Sequence, residues 1–593
     1  MLSQEEIMKK HKCPLKDAEM GNVVTRFPPE PSGYLHIGHV KALIVNYYYA
    51  KMFKGKMILR FDDTNPSKKN EDFVDSIIKD VKTLDVVPDV VSYTSDYFPE
   101  FIKYMEKFIK EGNAYADDTP TDQMKEERSE GIESKNKSNT VEENLKHWNE
   151  LLSGSTEGQK WCIRANLDMK NKVKCLRDPV FFRCHLTPHH RTGTKYKAYP
   201  CYDFACPIID SIQGVTHAIR TIEYRDRNAL YKWVQEKAKV TECKIQDFSR
   251  LSFVNTVMSK RKLQYFVDKG LVEGWDDPRF PTVQGIMRRG LTVPALTEFM
   301  LEQGASQNTN LMSWDKLWSI NKRVIDPIAP RYSAISKGTS CEVLIENGPE
   351  PPQSLVVSVH PKSEEVGKKT LWFTKKILIE MDDAKLLKPD EKFTLYKWGN
   401  CKVKEIKEAN GKLNLIGELL PDDKDFKSTK KVTWIPENEG LHIQCKFIEF
   451  GNLILKPSLE EEDNVDDFVN PNSKLETDLV GEGEMKGLKK GDIIQIERRG
   501  FCYVDQPWTE EKKVLILHFI PDGKTKSMSV ITQKIDAKAV SLGEGAELSK
   551  KKSKKAKKDE AKDDKKKAKE GKKEQKTEDS KKEEPEVKED SKD

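Results

Sequence analysis

The sequence predicts an α/β fold: a parallel-sheet domain that carries an insertion, then a helical connector, a β-rich C-terminal half and a charged tail. Three observations predict it. A strand–loop–helix–strand pattern over 22–61 is joined by a second α/β patch at 199–240. Helical periodicity gives way to short alternating apolar runs from about residue 326. From Lys550 to Asp593 the chain holds 19 lysines and 14 acids with almost no apolar side chains, a composition that does not fold alone.

Taken in order, "NVVTRF" is β-rich, and Pro28, Pro29, Pro31 and Gly33 then force an irregular turn. Val40, Leu43, Ile44, Tyr47 and Tyr48 follow at the spacing of one helical face. Gly55 is expected to end that helix, and "KMILRFDD" reads as a second buried strand running into two aspartates. Composition turns polar over roughly 95–198, where Thr140 and Glu143 form a capping box before "NLKHWNELL", so this stretch reads as an insertion. The first domain resumes with a short helix in "YDFACPIIDSIQG" closed by Gly214, a strand in "VTHAIRTIEY" and a helix in "DRNALYKWVQEKAKV". Residues 258–325 have helical periodicity and bridge to the β-rich half, where Asn410-Gly411 marks a hairpin. Strands this short and regular mean one or two β-barrels or sandwiches.

With 593 residues, 34% of them charged, and a mean hydropathy of −0.70, a soluble protein of several domains is expected. No apolar run approaches the roughly 18 residues that would indicate a membrane helix. The N-terminus lacks the apolar core of a signal peptide and carries acids without arginine, against a transit peptide. Eleven cysteines without a CxxC pair read as reduced thiols, so a cytoplasmic protein with no protein-bound metal is expected. The tail carries the whole net charge of +5, positive over 550–573 and negative over 574–593. It reads either as a solubilising segment or as a weak attractor of a polyanion.

The chemistry begins at "RFPPEPSGYLHIGH". A helix N-terminus offers unpaired N–H groups to phosphate. Neither a dinucleotide glycine fingerprint nor a P-loop is present, and His36 and His39 instead share about one face of the first turn. Their imidazole N–H groups suit phosphate oxygens, with Gly38 letting a flat ring approach the backbone; alone, the pair also reads as capping or surface histidines.

The surroundings decide between these readings. "YLHIGH" matches the HIGH signature of class I aminoacyl-tRNA synthetases, and "TVMSKRKL" resembles their second signature, KMSKS. The blocks "LRFDDTNP", "YPCYDF", "GVTHAIRTIEYRDRN" and "WDDPRFPT" resemble the glutamyl/glutaminyl subgroup over about 20–330. The resemblance implies an N-terminal extension (1–21) and a Rossmann-type catalytic domain (22–95 and 199–257). It also implies an acceptor-end-binding insertion (96–198), a connector bearing the MSK loop (258–325), anticodon-binding β-barrels (326–545) and a disordered lysine-rich tail (546–593). Barrels rather than helical anticodon domains imply the eukaryotic/archaeal type. Because the site starts by residue 26, the glutathione-transferase-like N-terminal domain of many eukaryotic relatives is expected to be absent.

Carried over residue by residue, the resemblance gives catalytic roles to His36, His39 and Lys260, the lysine reaching the β/γ-phosphates from a mobile loop. ATP, taken with Mg²⁺ as substrate, would be lined by Glu30, Pro31, Ser32, His36, Ile37, Gly38, His39, Val40, Lys41, Ala42, Thr221, Arg250, Leu251, Met258, Ser259 and Lys260. Val257 replaces the first lysine of KMSKS, and Lys262, after Arg261, its last serine. Arg26, Asp62, Tyr202 and Arg220 fall where the subgroup contacts its amino acid, Asp62 opposite the α-ammonium. Arg220 can grip a carboxylate bidentately, whereas an enzyme for glutamine needs a neutral partner there. A desolvated guanidinium left facing an amide costs roughly 3–5 kcal/mol, about two to three decades of discrimination. L-Glutamate is therefore the expected amino acid and tRNA(Glu) the expected acceptor. Glutaminyl chemistry is disfavoured by Arg220, and a non-catalytic tRNA scaffold by the intact histidines and lysine. For tRNA contacts, His189, His190, Arg191, Lys195 and Lys197 are expected on the acceptor side, and Arg498 and Arg499 beside Phe501 on the anticodon side.

Overall fold

The computed structural model describes residues 15–66, 71–308, 311–409 and 412–523, with Glu6, His11 and Cys13. The Asn410-Gly411 turn, residues 524–545 of the expected barrels and the lysine-rich tail lie outside the described residues.

Strand β1 (Val24–Phe27), helix α1 (Ile37–Met52), strand β2 (Lys56–Phe61), helix α2 (Glu71–Thr83) and strand β3 (Val90–Tyr93) open the chain, and β1, β2 and β3 pair in parallel in that order. The sequence suggests that α1 is amphipathic, but it is buried nearly all round, with Tyr49 as enclosed as Leu43 and Ile44. The reason is a second cover, since connector helices pack on the side of α1 away from the sheet. The turn after α1 also differs from expectation. The left-handed residue is Lys54 (φ 52°), and Gly55 is required for closeness, because a Cβ there would sit 2.0 Å from the carbonyl oxygen of Val23.

The insertion contributes α3 (Phe98–Lys110), β4 (Ala114–Asp117), α4 (Thr121–Glu130), α5 (Val141–Ser153), β5 (Cys162–Ala165), β6 (Val180–Cys184) and β7 (Ala198–Pro200), with the four strands in one antiparallel sheet. The Thr140–Glu143 capping box forms, with the Glu143 N–H on Thr140 Oγ1 at 3.3 Å and the Thr140 N–H on Glu143 Oε2 at 2.8 Å. Trp148, Phe181 and Phe182 share one core with Phe204, Ile208, Leu230 and Val234 from beyond the insertion, so the insertion is fused to the first domain.

Helix α6 (Tyr202–Ile212), strand β8 (His217–Thr221), helix α7 (Asn228–Ala238) and strand β9 (Lys244–Phe248) complete that domain, with β8 and β9 parallel. The Thr216 N–H bonds to Val24 O at 3.0 Å and joins β8 to the edge of β1. The connector holds α8 (Lys260–Asp268), α9 (Val283–Arg288), α10 (Val293–Gln303) and α11 (Asp315–Ile325). Leu296, Phe299, Met300 and Trp318 of these helices pack into the same core as α1.

Among the described residues, the C-terminal half holds two seven-stranded sheets curled into barrel-like bodies and a separate antiparallel pair, Gln353–Ser358 with Lys368–Phe373. One takes its strands from 331–336 and 442–520; the other is built entirely within 340–436. The chain thus starts one barrel, completes the second, and returns to finish the first.

Candidate active site

The Pro-rich turn leads from β1 to the N-terminus of α1, where the connector pins it from outside. The Ile37 N–H bonds to Pro281 O and the Val283 N–H to Leu35 O, both at 2.9 Å. His36 is the N-cap: its Nδ1 accepts from the Gly38 N–H at 3.1 Å, while His39 Nδ1 accepts from the His36 N–H at 3.2 Å. The two rings stack with centroids 3.8 Å apart. Burial and the nearby Arg250 guanidinium push both imidazoles down, His36 to about 2 and His39 to about 4, with His39 also disfavouring a charge on His36. Each ring is therefore neutral, and with Nδ1 engaged as acceptor its proton sits on Nε2. Capping uses Nδ1 of each ring and leaves Nε2 as the donor.

Both histidines line a cleft of about 710 Å³ that also gathers Glu30, Ser32, Met258 and Lys260 from the predicted set. Tyr34 and Trp275, stacked at 5.1 Å, form a wall that the sequence reading did not assign. Lys260 is the first residue of α8, with Ser259 as N-cap, instead of a loop-tip residue. Its stem crosses Gly33, where a Cβ would come within 2.8 Å of Lys260 Cε, and its Nζ lies 4.7 Å above the Phe73 ring. Gly38 faces a similar limit, its missing Cβ lying 3.0 Å from the His36 ring and 3.1 Å from Met258 Cε.

The segment before Lys260 is held by the distal half of the chain. Asn255, left-handed at φ 53°, donates its side-chain amide to Leu455 O and Lys456 O at 3.1 Å, and its N–H to Pro457 O at 2.8 Å. Lys262 Nζ and the Tyr265 hydroxyl bond to Glu460 O and Asp466 in the same 451–470 loop. Val257, which stands where KMSKS has lysine, is buried among Leu263, Phe266, Leu453 and Ile454.

Other predicted nucleotide-lining residues contribute differently. Ile37 and Val40 are fully buried and Leu251 nearly so, which leaves their backbone for any ligand. The Lys41 ammonium is turned inward onto Ser249 O at 2.8 Å, and burial lowers it to about 8. Pro31 is buried, Ala42 half-buried, and Thr221 ends β8 with its hydroxyl buried and no hydrogen-bond partner among the described residues. Arg250 is exposed and pairs with Glu223 at 3.2 Å.

The predicted amino-acid contacts converge at the C-terminal ends of β1, β2 and β8. Arg220 is 5% exposed, its guanidinium 5.0 Å from the rings of both Tyr224 and Tyr231. Its Nε and Nη1 are buried without a hydrogen-bond partner among the described residues. Arg26 bonds to Asp210 Oδ2 through Nε at 3.0 Å and to Ile219 O through Nη1 at 3.1 Å, and its Nη2 finds no such partner. Asp62 accepts from the Thr64 hydroxyl at 3.0 Å, and desolvation pushes its carboxyl up to about 6. Tyr202, at the start of α6, shares a small cavity with Asp62, Arg60 and Cys206. Sequence reasoning missed Arg60 and Asp210. The available signal was a charge in the middle of an apolar run, in "KMILRF" and "ACPIIDSI".

The residues expected to contact tRNA have partners within the chain. His189 is buried, its Nε2 on Asp63 O at 2.6 Å and its Nδ1 accepting the Arg191 and Thr192 N–H groups. Asp63 in turn accepts from Ser95 N and Oγ at 2.8 and 2.6 Å, and His190 Nε2 lies 3.8 Å from its carboxylate. These bonds make the Asp63–His189–His190 cluster a joint between insertion and sheet. Arg191 is committed to Ser95 and Asp96, both at 2.7 Å, over the Tyr93 ring. Lys195 is exposed and Lys197 half-buried against Gly154. Arg498 pairs with Asp383, and Arg499 with Glu380 and Ser336, so both arginines link one barrel to the other.

The family model described as tRNA synthetases class I (E and Q), catalytic domain, matches residues 22–327. Two models described as the anti-codon binding domain of that class match 329–418 and 431–505. The chain is 50% identical over 512 residues to "Glutamate--tRNA ligase, cytoplasmic" of Arabidopsis thaliana, covering 86% of this chain and 71% of that one. It is 47% identical over 516 residues to the protein of the same name in Saccharomyces cerevisiae, covering 86% and 72%. A solved Glutamate-tRNA Synthetase from Elizabethkingia anophelis aligns at 18% identity and a TM-score of 0.38, covering 51% of this chain and 70% of that one. The catalytic-domain match and the 47–50% identity to the two ligases over most of both sequences answer what the two-histidine cleft asks: the chain belongs to the class I (E and Q) tRNA synthetase family.

Proposed function

We propose that the chain is a glutamate–tRNA ligase, which activates L-glutamate with MgATP to glutamyl-adenylate and diphosphate and transfers the glutamyl group to the 3′ end of tRNA(Glu) for cytosolic translation. One observation carries the choice of amino acid. A buried guanidinium with two unsatisfied N–H donors is costly unless an anion completes it, and a side-chain carboxylate is the group that does so. Asp62 supplies the opposite charge for the α-ammonium. No helix among the described residues is long and apolar enough to cross a membrane.

In activation, the glutamate α-carboxylate oxygen attacks the α-phosphorus of ATP and the bond to the bridging oxygen of diphosphate breaks. The Nε2–H groups of His36 and His39 bond to the α-phosphoryl oxygens as charge builds there, and Lys260 neutralises the departing diphosphate. In transfer, a hydroxyl of the terminal tRNA ribose attacks the acyl carbon and AMP leaves. Charging assays with ATP, Mg²⁺ and total tRNA should attach glutamate and not glutamine; equal or better use of glutamine overturns the reading. A single-turnover assay that yields no acyl-tRNA with either amino acid would favour a scaffold.

A further inference from the structure

Asp210, on α6, is fully buried between the guanidiniums of Arg26 and Arg60. Its Oδ2 takes Arg26 Nε at 3.0 Å, and its Oδ1 takes Arg60 Nη2 at 2.6 Å. Oδ2 also accepts from the Tyr231 hydroxyl at 2.7 Å, and the face of that tyrosine lies against Arg220. Arg60 is fixed further by Gln213 Oε1 at 2.9 Å. One carboxylate thus holds two arginines directly and reaches the third through a ring. The donors left over are Arg26 Nη2 and Arg220 Nε and Nη1.

We propose that Asp210 is a positioning residue for amino-acid selection: it anchors Arg26, Arg60 and Tyr231 so that the spare donors of Arg26 and Arg220 stay aimed at a carboxylate of the substrate. The inference rests on the glutamate reading above. Charge balance explains why a carboxylate is required and an amide is insufficient. Three buried guanidiniums against the carboxylates of Asp210 and Asp62 leave the pocket cationic, which favours an anionic side chain. Without Asp210, the arginines repel one another and lose the bonds that set their planes. Tyr231 extends the anchor, since its hydroxyl fixes the ring on which the Arg220 guanidinium rests.

The test uses the full chain with tRNA, ATP and both amino acids. Asp210→Asn should raise KM for glutamate on the order of tenfold or more, leave kcat much less affected, and narrow the glutamate-over-glutamine ratio of kcat/KM. Tyr231→Phe keeps the ring and removes the hydroxyl's bonds to Asp210 and Cys243, so it should shift KM and the ratio in the same direction by a smaller factor. A residue that only supports the fold would lower Tm and leave both readouts at wild-type values. Unchanged KM and ratio in folded Asp210→Asn overturn the proposal. If that variant does not fold, unchanged values in Tyr231→Phe overturn it. Both results presuppose that wild type selects glutamate; a wild type that prefers glutamine refutes the functional reading instead.

Discussion

At the scale of single residues, protonation states set the chemistry. His36 and His39, held down to about 2 and 4, stay neutral N–H donors throughout the working range, so neither should titrate in a kcat profile above pH 5. Asp62 behaves differently. Its carboxyl is raised to about 6 by burial, so below that pH it is protonated in the free protein and loses the charge that would meet an ammonium. KM for glutamate should therefore rise as pH falls through 6, and a flat KM between pH 7 and 5 contradicts the role. Lys260→Ala should lower kcat by about two or more decades while glutamate binding, measured by equilibrium dialysis with tRNA present, changes little. Most of these residues were legible because they sit in the signature blocks. Asp210 and Arg60 were not, since an isolated charge inside an apolar run is a burial anomaly whose partner, about 150 residues away, only the fold reveals.

At the scale of elements, the segment leading to Lys260 depends on a loop nearly 200 residues later. Asn255 is bonded through its backbone and its side chain to carbonyls of 455–457 in a left-handed conformation that asparagine tolerates better than most residues. Asn255→Ala removes the side-chain bonds and keeps the strained φ, so kcat for activation should drop about tenfold, with Tm falling only slightly. Wild-type kcat in this variant would dissociate the contact from catalysis. The sequence showed α1, β2 and the capping box of α5 because their local patterns dominate. It misjudged the exposure of α1 because the second cover comes from Leu296, Phe299 and Met300, remote in sequence. It gave no sign of the protein partners of His189, Arg191, Arg498 and Arg499, because a basic cluster looks the same whether or not an acidic segment from elsewhere in the chain faces it.

At the scale of the whole molecule, the chain before Lys550 is neutral by sequence and the net charge of +5 resides in the tail. We propose that its lysine block attracts tRNA weakly and without specificity. Truncation after residue 548 should raise KM for tRNA more at low salt than at high salt, because counterion screening removes the contribution. No change at any salt concentration rejects the role. The barrels, clamped to each other by Arg498 and Arg499 and to the Lys260 segment by the 451–470 loop, join distant parts of the chain into one mechanical unit. Arg220 remains the pivot of the account, and the decisive measurement is the glutamate-to-glutamine ratio of kcat/KM for wild type and Arg220→Gln under identical tRNA and ATP. Replacing the orphan guanidinium by a neutral amide should collapse that ratio by about two decades or more, mostly through lost glutamate use, with Tm nearly unchanged. A ratio that survives the substitution would mean that something other than this cation reads the substrate.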